Sequence, residues 1–501
     1  MKLHLIPAVT IASVLAATLS AQSLPSARDE EFARRQYESG LTFMQNKKYD
    51  EGLKDFRAVV ASFPKSQVAD DSLLQIALYE FDVAHDGAAA QADIDKLLRE
   101  YADADSAPMA HVMAGRIASA KSRSVQDVDG ALASFERVPR LFPSAAAVPA
   151  AGFYAGDTLR AARRLDEAYD RFTRVAMEYP GTVWAARAAI AGAAFLVQSD
   201  RGSRAVEGLQ RARELSPGSP EATIALNYNT IIYRLYIRAP AQPAYAFSRY
   251  LGGETAKFKD VVGVKTDEGG RILLGHKQGI AVFDATSALT RTVAAVEPSA
   301  FFVDERGRVV FARRDVLSAE TGETTAIVIP PPSPGGKARQ VEEIPSAVAR
   351  SDGERLIVDR KGKAVIRVSP AGKFGGTFVA VNAERLAINW LDDVAMIDRD
   401  SKGIAIVDRD GKAIGKIPAK GPGYELDNPI DLAFDPLGHL YVLDRGKAAI
   451  LVFGPKNRLI TTITFPEKDA GAFPKAQAFS VDAAGRLYVF DDRSQRLQVY
   501  Q

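Results

Sequence analysis

Two patterns of apolar positions divide the chain. From about residue 28 to 238, Ala, Leu, Phe and Val recur at three- and four-residue spacing among Arg, Glu and Asp, the periodicity of amphipathic helices. From about residue 245 onward, short alternating runs of Val, Ile, Leu and Tyr are separated by Asp, Gly, Asn and Lys, as in antiparallel strands. The change falls at APAQP (239–243), read as a linker. The chain is therefore expected to be multidomain: an all-α helical-repeat solenoid over 28–238, then an all-β domain over 244–501. Repeats and blades bury their cores locally, so each half is expected to fold alone.

The helical half is punctuated. SFPKS (62–66), LFPSA (141–145), EYPGT (178–182) and LSPGS (215–219) each close an apolar run with proline, and EYADA (100–104) is a version without it. Anchored on Pro64, Ala102, Pro143, Pro180 and Pro217, the period is 37–41 residues. Proline lacks an N–H and clashes with the preceding turn, so each unit reads as a helix pair with a fixed stop.

The spacing of small and large residues resembles the tetratricopeptide repeat family. Gly40, Phe43, Gly52, Phe56, Val59 and Pro64 follow it in the first unit, and Gly156, Leu159, Ala168, Phe172, Val175 and Pro180 in the fourth. Ala193, Ala205, Leu209, Ala212 and Pro217 match more weakly in the fifth; Ala131, Phe135, Val138 and Pro143 keep only the second helix of the third. The long period is similar to that of bacterial envelope assembly proteins. The resemblance implies a groove lined by the first helix of each pair. Arg34, Tyr37, Leu41, Met44 and Gln45 would face it in unit one, and Phe153, Asp157 and Arg160 in unit four. Residues 220–240 place Ile224, Tyr228, Ile231, Ile232 and Leu235 on one face, as expected of a helix capping the stack.

The second half repeats an Asp-x-x-Gly-basic turn leading into a strand: DEGGRILL (267–274), DERGRVVF (304–311), DPLGHLYV (435–442) and DAAGRLYV (482–489). SDGERLIV (351–358) and LDDVAMID (391–398) are degenerate copies. Anchors at Arg271, Arg308, Arg355, Asp393, His439 and Arg486 recur every 37–47 residues, room for four strands per unit. Six such units predict a six-bladed β-propeller, and their layout resembles NHL-repeat propellers. Pro298, Pro345, Pro429 and Pro474 stand where that family places a proline before the innermost strand. Blade two breaks the pattern, with VLSAETGE where a third strand belongs. The last blade runs out at Gln501 after three strands, so AYAFSRYLGGE (244–254) is expected to supply the fourth and close the ring.

The chain opens with Lys2, an apolar run to about Leu19, and small residues at Ser20 and Ala21. That order predicts a signal peptide over 1–21, and hence a periplasmic or secreted protein with no membrane span after cleavage. The 501 residues include no Cys, so a lipid-modified N-terminal cysteine, thiolate nucleophiles and cysteine metal sites are not expected. Lys+Arg 64 against Asp+Glu 62 leaves a net charge of +2, which argues against nucleic-acid binding.

Chemistry is sparse. The propeller holds only His276 and His439, too few for the three-imidazole site of the zinc lyases, and both are expected at ordinary surface positions. A lactonase-type site would need Glu, Asn and Asp converging from several blades; Asn382, Asn389, Asp427 and Asn428 are candidates joined by no motif. DRDSKG (398–403) and DRDGK (408–412) read as hairpin turns, not calcium loops. No catalytic residue, metal or cofactor is assigned. Four Asp-Arg dyads (359–360, 398–399, 444–445, 492–493) sit at the turn after the anchor strand. The aspartates read as turn caps, while Arg360, Arg399, Arg445 and Arg493 are candidates for an anion-binding ring. The long connections at 330–340, 419–428 and 466–475 would rise on the same side. The expectation is a non-catalytic envelope scaffold whose groove and propeller face bind protein partners. The alternatives are a metal-dependent propeller lactonase or lyase with a helical targeting module, and a binder of a glycan or small anionic ligand.

Overall fold

The computed structural model describes residues 25–501 apart from 122–124, 240, 254, 268, 332–335 and 467. The expected signal segment, and part of the 330–340 connection, lie outside the described residues. The helices are α1 (Ala27–Gln45), α2 (Tyr49–Ser62), α3 (Ala69–Asp82), α4 (Gly87–Glu100), α5 (Ala107–Lys121), α6 (Val125–Leu141), α7 (Val148–Ala161), α8 (Leu165–Glu178), α9 (Val183–Gln198), α10 (Gly202–Leu215) and α11 (Pro220–Ile232). A π-helical turn, Tyr233–Ile237, follows α11. Pro64, Pro143, Pro180 and Pro217 each stand two residues past α2, α6, α8 and α10, so the prolines are the helix stops their chemistry predicts. Hydroxyls of Thr182 and Ser219 cap α9 and α11, accepting backbone N–H groups at 3.2 and 3.1 Å.

The chain forms two compact units, divided inside α5 between residues 117 and 118. The first holds α1 to α4 and most of α5. There Phe56 packs against Gly40: a Cβ at Gly40 would stand 2.6 Å from the ring. Leu73, Ile94, Leu97, Met113 and Ile117 continue this core. The fourth repeat, in the second unit, reproduces the pair with Gly156 at 2.7 Å from Phe172. The capping segment buries Ala225, Ile231, Ile232 and Leu235, while Ile224, expected on that face, is exposed. The buried stripe thus runs one residue away from the expected one at its first turn.

Six four-stranded antiparallel meanders make the propeller. Blade one is Val261–Thr266, Ile272–His276, Gly279–Phe283 and Leu289–Ala294. Blade two is Ala300–Val303, Val309–Arg313, Val316–Ala319 and Thr324–Ala326. Its third strand exists after all, as Val316–Ala319 paired to Arg313–Val310; its four residues were too short to stand out in the pattern. Blade three is Ala347–Ala349, Arg355–Asp359, Ala364–Val368 and Phe374–Val379, and blade four Ala383–Ile388, Val394–Asp398, Gly403–Val407 and Ala413–Ile417. Blade five is Pro429–Phe434, Leu440–Asp444, Ala449–Phe453 and Leu459–Ile463. Blade six takes Ala476–Val481, Leu487–Asp491 and Arg496–Tyr500, and its outer strand is Phe247–Tyr250. Phe247 faces Tyr500 and Tyr250 faces Gln498, so the ring closes with a strand from the N-terminal side, as expected.

The repeated turn has one geometry and four chemistries. In blades one, two and six the aspartate (Asp267, Asp304, Asp482) accepts the N–H of the basic residue four positions on and binds its guanidinium Nε at 2.6, 2.9 and 2.6 Å. Blade five substitutes His439 on Asp435, 2.7 Å from Nδ1 to Oδ2. Blade three reverses the charges, Arg350 donating to Glu354 at 2.7 Å, and blade four uses Asn389 on Asp393 at 3.2 Å. The true anchor in blade three is therefore Glu354, one residue before Arg355. Along the axis the innermost strands are tied blade to blade: Thr266 donates to the Val481 carbonyl at 2.7 Å, and Asp431 accepts from the Phe479 N–H at 3.2 Å.

Candidate functional site

A meander places its first–second and third–fourth turns on one face of the ring. Its second–third turns and the blade-to-blade connections lie on the other. In the second unit, α7 to α11 lie on the first of these faces, over blades four to six. Gln198 of α9 donates to the Leu437 carbonyl at 2.8 Å, and Arg234 to that of Gly485 at 2.9 Å. Arg163 pairs with Asp393, and Asp200 with Arg458. One continuous apolar cluster joins Phe172, Phe195, Leu209, Ile231 and Leu235 of the helices to Leu437, Tyr441, Ile450, Phe479 and Tyr500 of the blades. Local burial in each half, expected from the repeat patterns, does not hold here: the linker marks a change of secondary structure inside one core.

His439 sits at this junction and is fully buried, not the surface residue expected. Its Nδ1 is held by Asp435 and its Nε2 lies 2.7 Å from the Tyr236 hydroxyl of the π-helical turn. Tyr441 donates to Asp435 at 3.3 Å and meets the Tyr245 hydroxyl at 3.0 Å. Burial pushes the Tyr236 and Tyr441 phenols above their ordinary range and Tyr245 up to about 12, so these hydroxyls stay protonated as hydrogen-bond partners. His276 is half-buried, accepts from the Gln278 N–H at 3.3 Å, and has its basicity lowered by burial.

The groove residues divide by repeat. In unit one Tyr37 packs on Phe56, ring centroids 5.6 Å apart, and Leu41 and Met44 join the same cluster. Burial raises the Tyr37 phenol to about 12. Arg34 and Gln45 are exposed, and Arg34 pairs with Glu31 at 2.5 Å. In unit four Phe153 packs on Phe172 and Trp184, each at 5.6 Å, and Asp157 binds Arg160 at 2.5 Å. Arg160 does not face solvent across a groove: it lies over the indole of Trp390, 4.6 Å from the ring centroid. Trp390 of the propeller lies beside Leu165, Phe172, Phe195 and Gln198 of α8 and α9, so Arg160 meets a blade and not an open groove.

The Asp-Arg dyads lie at the second–third turns, on the connection face. Asp444 is a buried turn cap, as expected, accepting the Asp427 and Asn428 N–H groups at 2.7 and 3.0 Å, whereas the buried Asp359 binds Arg339 instead. Arg360 is neutralised by Glu343 at 3.0 Å. Arg399 and Arg445, on adjacent blades, are exposed with no acidic partner among the described residues. In blade six the cap is Asp491, not Asp492, which moves Arg493 one position out of register with the other arginines. A closed ring of four arginines therefore does not form. The connections are ribbed by small hairpins, Val328–Ile329 with Arg339–Gln340 and Lys420–Gly421 with Tyr424–Glu425. Tyr424 anchors the second by an edge contact to Phe453 at 5.0 Å.

The lactonase candidates do not converge. Asn389 belongs to a first–second turn, whereas Asn382, Asp427 and Asn428 lie on the connection face, where Asn382 donates to Asp400 at 2.8 Å. A cavity of about 520 Å³ lies where α6 and α7 meet the turns of blades three and four. Five arginines and four carboxylates line it, and they neutralise one another: Arg350 binds Glu354, and Arg409 approaches Asp352 at 3.8 Å.

Fold and site thus define a tetratricopeptide-like solenoid fused to a six-bladed propeller. Residues 29–191 match the family model YfiO, described as an outer membrane lipoprotein. No curated protein matches the sequence. Among solved structures, virginiamycin B lyase from Staphylococcus aureus is 10% identical, covering 49% of this chain and 81% of its own, with a TM-score of 0.34. The calcium-binding protein regucalcin from Agrobacterium tumefaciens is 15% identical, covering 51% and 93%, TM-score 0.36. A gluconolactonase from Xanthomonas campestris is 15% identical, covering 53% and 98%, TM-score 0.36.

Proposed function

We propose that the protein is an exported, non-catalytic scaffold of the bacterial envelope that docks protein partners on the connection face of its propeller and on its helical repeats. The reading rests on one observation above all. Helices α7 to α11 occupy the turn face of blades four to six, so partners of those blades would meet the connection face. On that face Arg399 and Arg445 stand exposed beside ribbed connections, a surface suited to acidic groups of a partner. The match of 29–191 to an outer membrane lipoprotein family supports an envelope location.

In-cell cross-linking of the wild-type chain and of an R399A/R445A double variant tests this. The scaffold reading expects one defined envelope protein cross-linked to the wild type and its loss in the double variant. Turnover of lactones by the purified chain, with an unchanged cross-link pattern in the variant, would overturn it.

A further inference from the structure

Residues about one repeat apart in a solenoid lie side by side on neighbouring helix pairs. Along this array such neighbours are paired by charge. Arg116 binds Asp82 at 2.6 Å, Arg164 binds Asp129 at 2.7 Å, Arg171 binds Glu136 at 2.7 Å and Arg187 binds Glu221 at 3.0 Å, all 34 or 35 residues apart. At one position the same spacing brings acid onto acid. Asp70 and Asp71, in the first turn of α3, meet Asp105, just before α5, with one carboxylate oxygen from each within 4.8 Å of the others.

We propose that Asp70, Asp71 and Asp105 bind a hard divalent cation of the calcium class, which takes the place held by arginine in the other neighbour pairs. Asp70 is only 4% exposed, and its Oδ2 is buried with no hydrogen-bond partner. A buried carboxylate oxygen without a donor is costly unless a cation satisfies it. Among the described residues no Lys, Arg or His is within ion-pair distance of any of the three. The donor set is all oxygen, which selects Ca²⁺ or Mg²⁺ over zinc or copper. Asp105 is exposed, leaving the outer side open for waters to complete the shell. Bound there, the ion would clamp the second repeat to the third.

The test uses the full chain after treatment with a chelator. Calorimetric titration with Ca²⁺, and separately Mg²⁺, should show one saturable site per chain and a rise in the unfolding midpoint of the helical repeats. D105N, which alters an exposed side chain, should weaken binding about tenfold or more through the lost ligand charge, and D71N should abolish it. Metal-free D71N should be at least as stable as the parent, since it relieves repulsion, and this separates lost binding from lost folding. No saturable binding of either ion at millimolar concentration, or equal binding in D105N and D71N, would overturn the proposal.

Discussion

Arg160 lays its guanidinium over Trp390 at 4.6 Å and donates to the Trp390 carbonyl at 3.4 Å, joining a helix and a blade 230 residues apart. The contact ties the fourth repeat to blade four. Replacing Trp390 by Ala is expected to destabilise the second unit by about 2–4 kcal/mol, and R160A by about 1 kcal/mol. Denaturant unfolding followed by circular dichroism measures both. Equal, near-zero effects would mean that the helices and the propeller do not depend on each other.

The shared core makes a second demand. Residues 244–501 produced alone would expose Leu437 and the His439–Asp435 pair, now buried under the helices. The expected outcome is aggregation, or a form that binds a hydrophobic dye. A soluble monomer melting like the intact chain would contradict it.

Gly156 has no room for a methyl group, because a Cβ would stand 2.7 Å from Phe172. G156A is expected to cost about 1–3 kcal/mol by overpacking. The double variant with a smaller partner, F172L, should recover part of the loss. Additive losses in the pair would show that the steric account is wrong.

Burial and the neighbouring Asp93 carboxylate push Glu80 up to about 7, with Asp86 adding to the effect and Arg57, 3.8 Å away, opposing it. The folded chain therefore holds a proton that the unfolded chain releases nearer 4.5. Stability from this group is full below that ordinary value and falls as pH rises through about 7. E80Q, which keeps the shape of the side chain without the charge, should flatten the decline between pH 5 and 8 and gain about 1–2 kcal/mol at the upper end. Thermal melts of the full chain across that range check the slope.

Much of the fold was legible because its signals are local. Proline stops, the Gly40–Phe56 and Gly156–Phe172 pairs and the Asp-x-x-Gly-basic turns all act within one repeat or blade. The missing fourth strand of blade six was legible because an unpaired edge demands a partner. What stayed hidden depends on contacts between distant segments. His439 occupies the position of Arg271, Arg308 and Arg486 and looks like another polar turn residue. Only Tyr236, more than 200 residues earlier, explains its burial. Leu437 and Gly485 hold the helices by backbone carbonyls, which leave no mark in side-chain pattern. Trp390 did leave a mark: blade four's turn is degenerate where the tryptophan docks, and that irregularity was the available signal. The acidic step at Asp70, Asp71 and Asp105 was also readable in principle, from the repeat period applied to charges as well as to apolar residues.

The central claim is that partners meet the connection face while the opposite face of blades four to six is occupied by the chain's own helices. A photoreactive amino acid placed in cells at position 399 or 445, and separately at position 410 on the turn face of blade four, tests it directly. The account predicts intermolecular adducts to a protein partner from 399 and 445, and only intramolecular adducts from 410. Intermolecular adducts from 410, with none from 399 or 445, would contradict it.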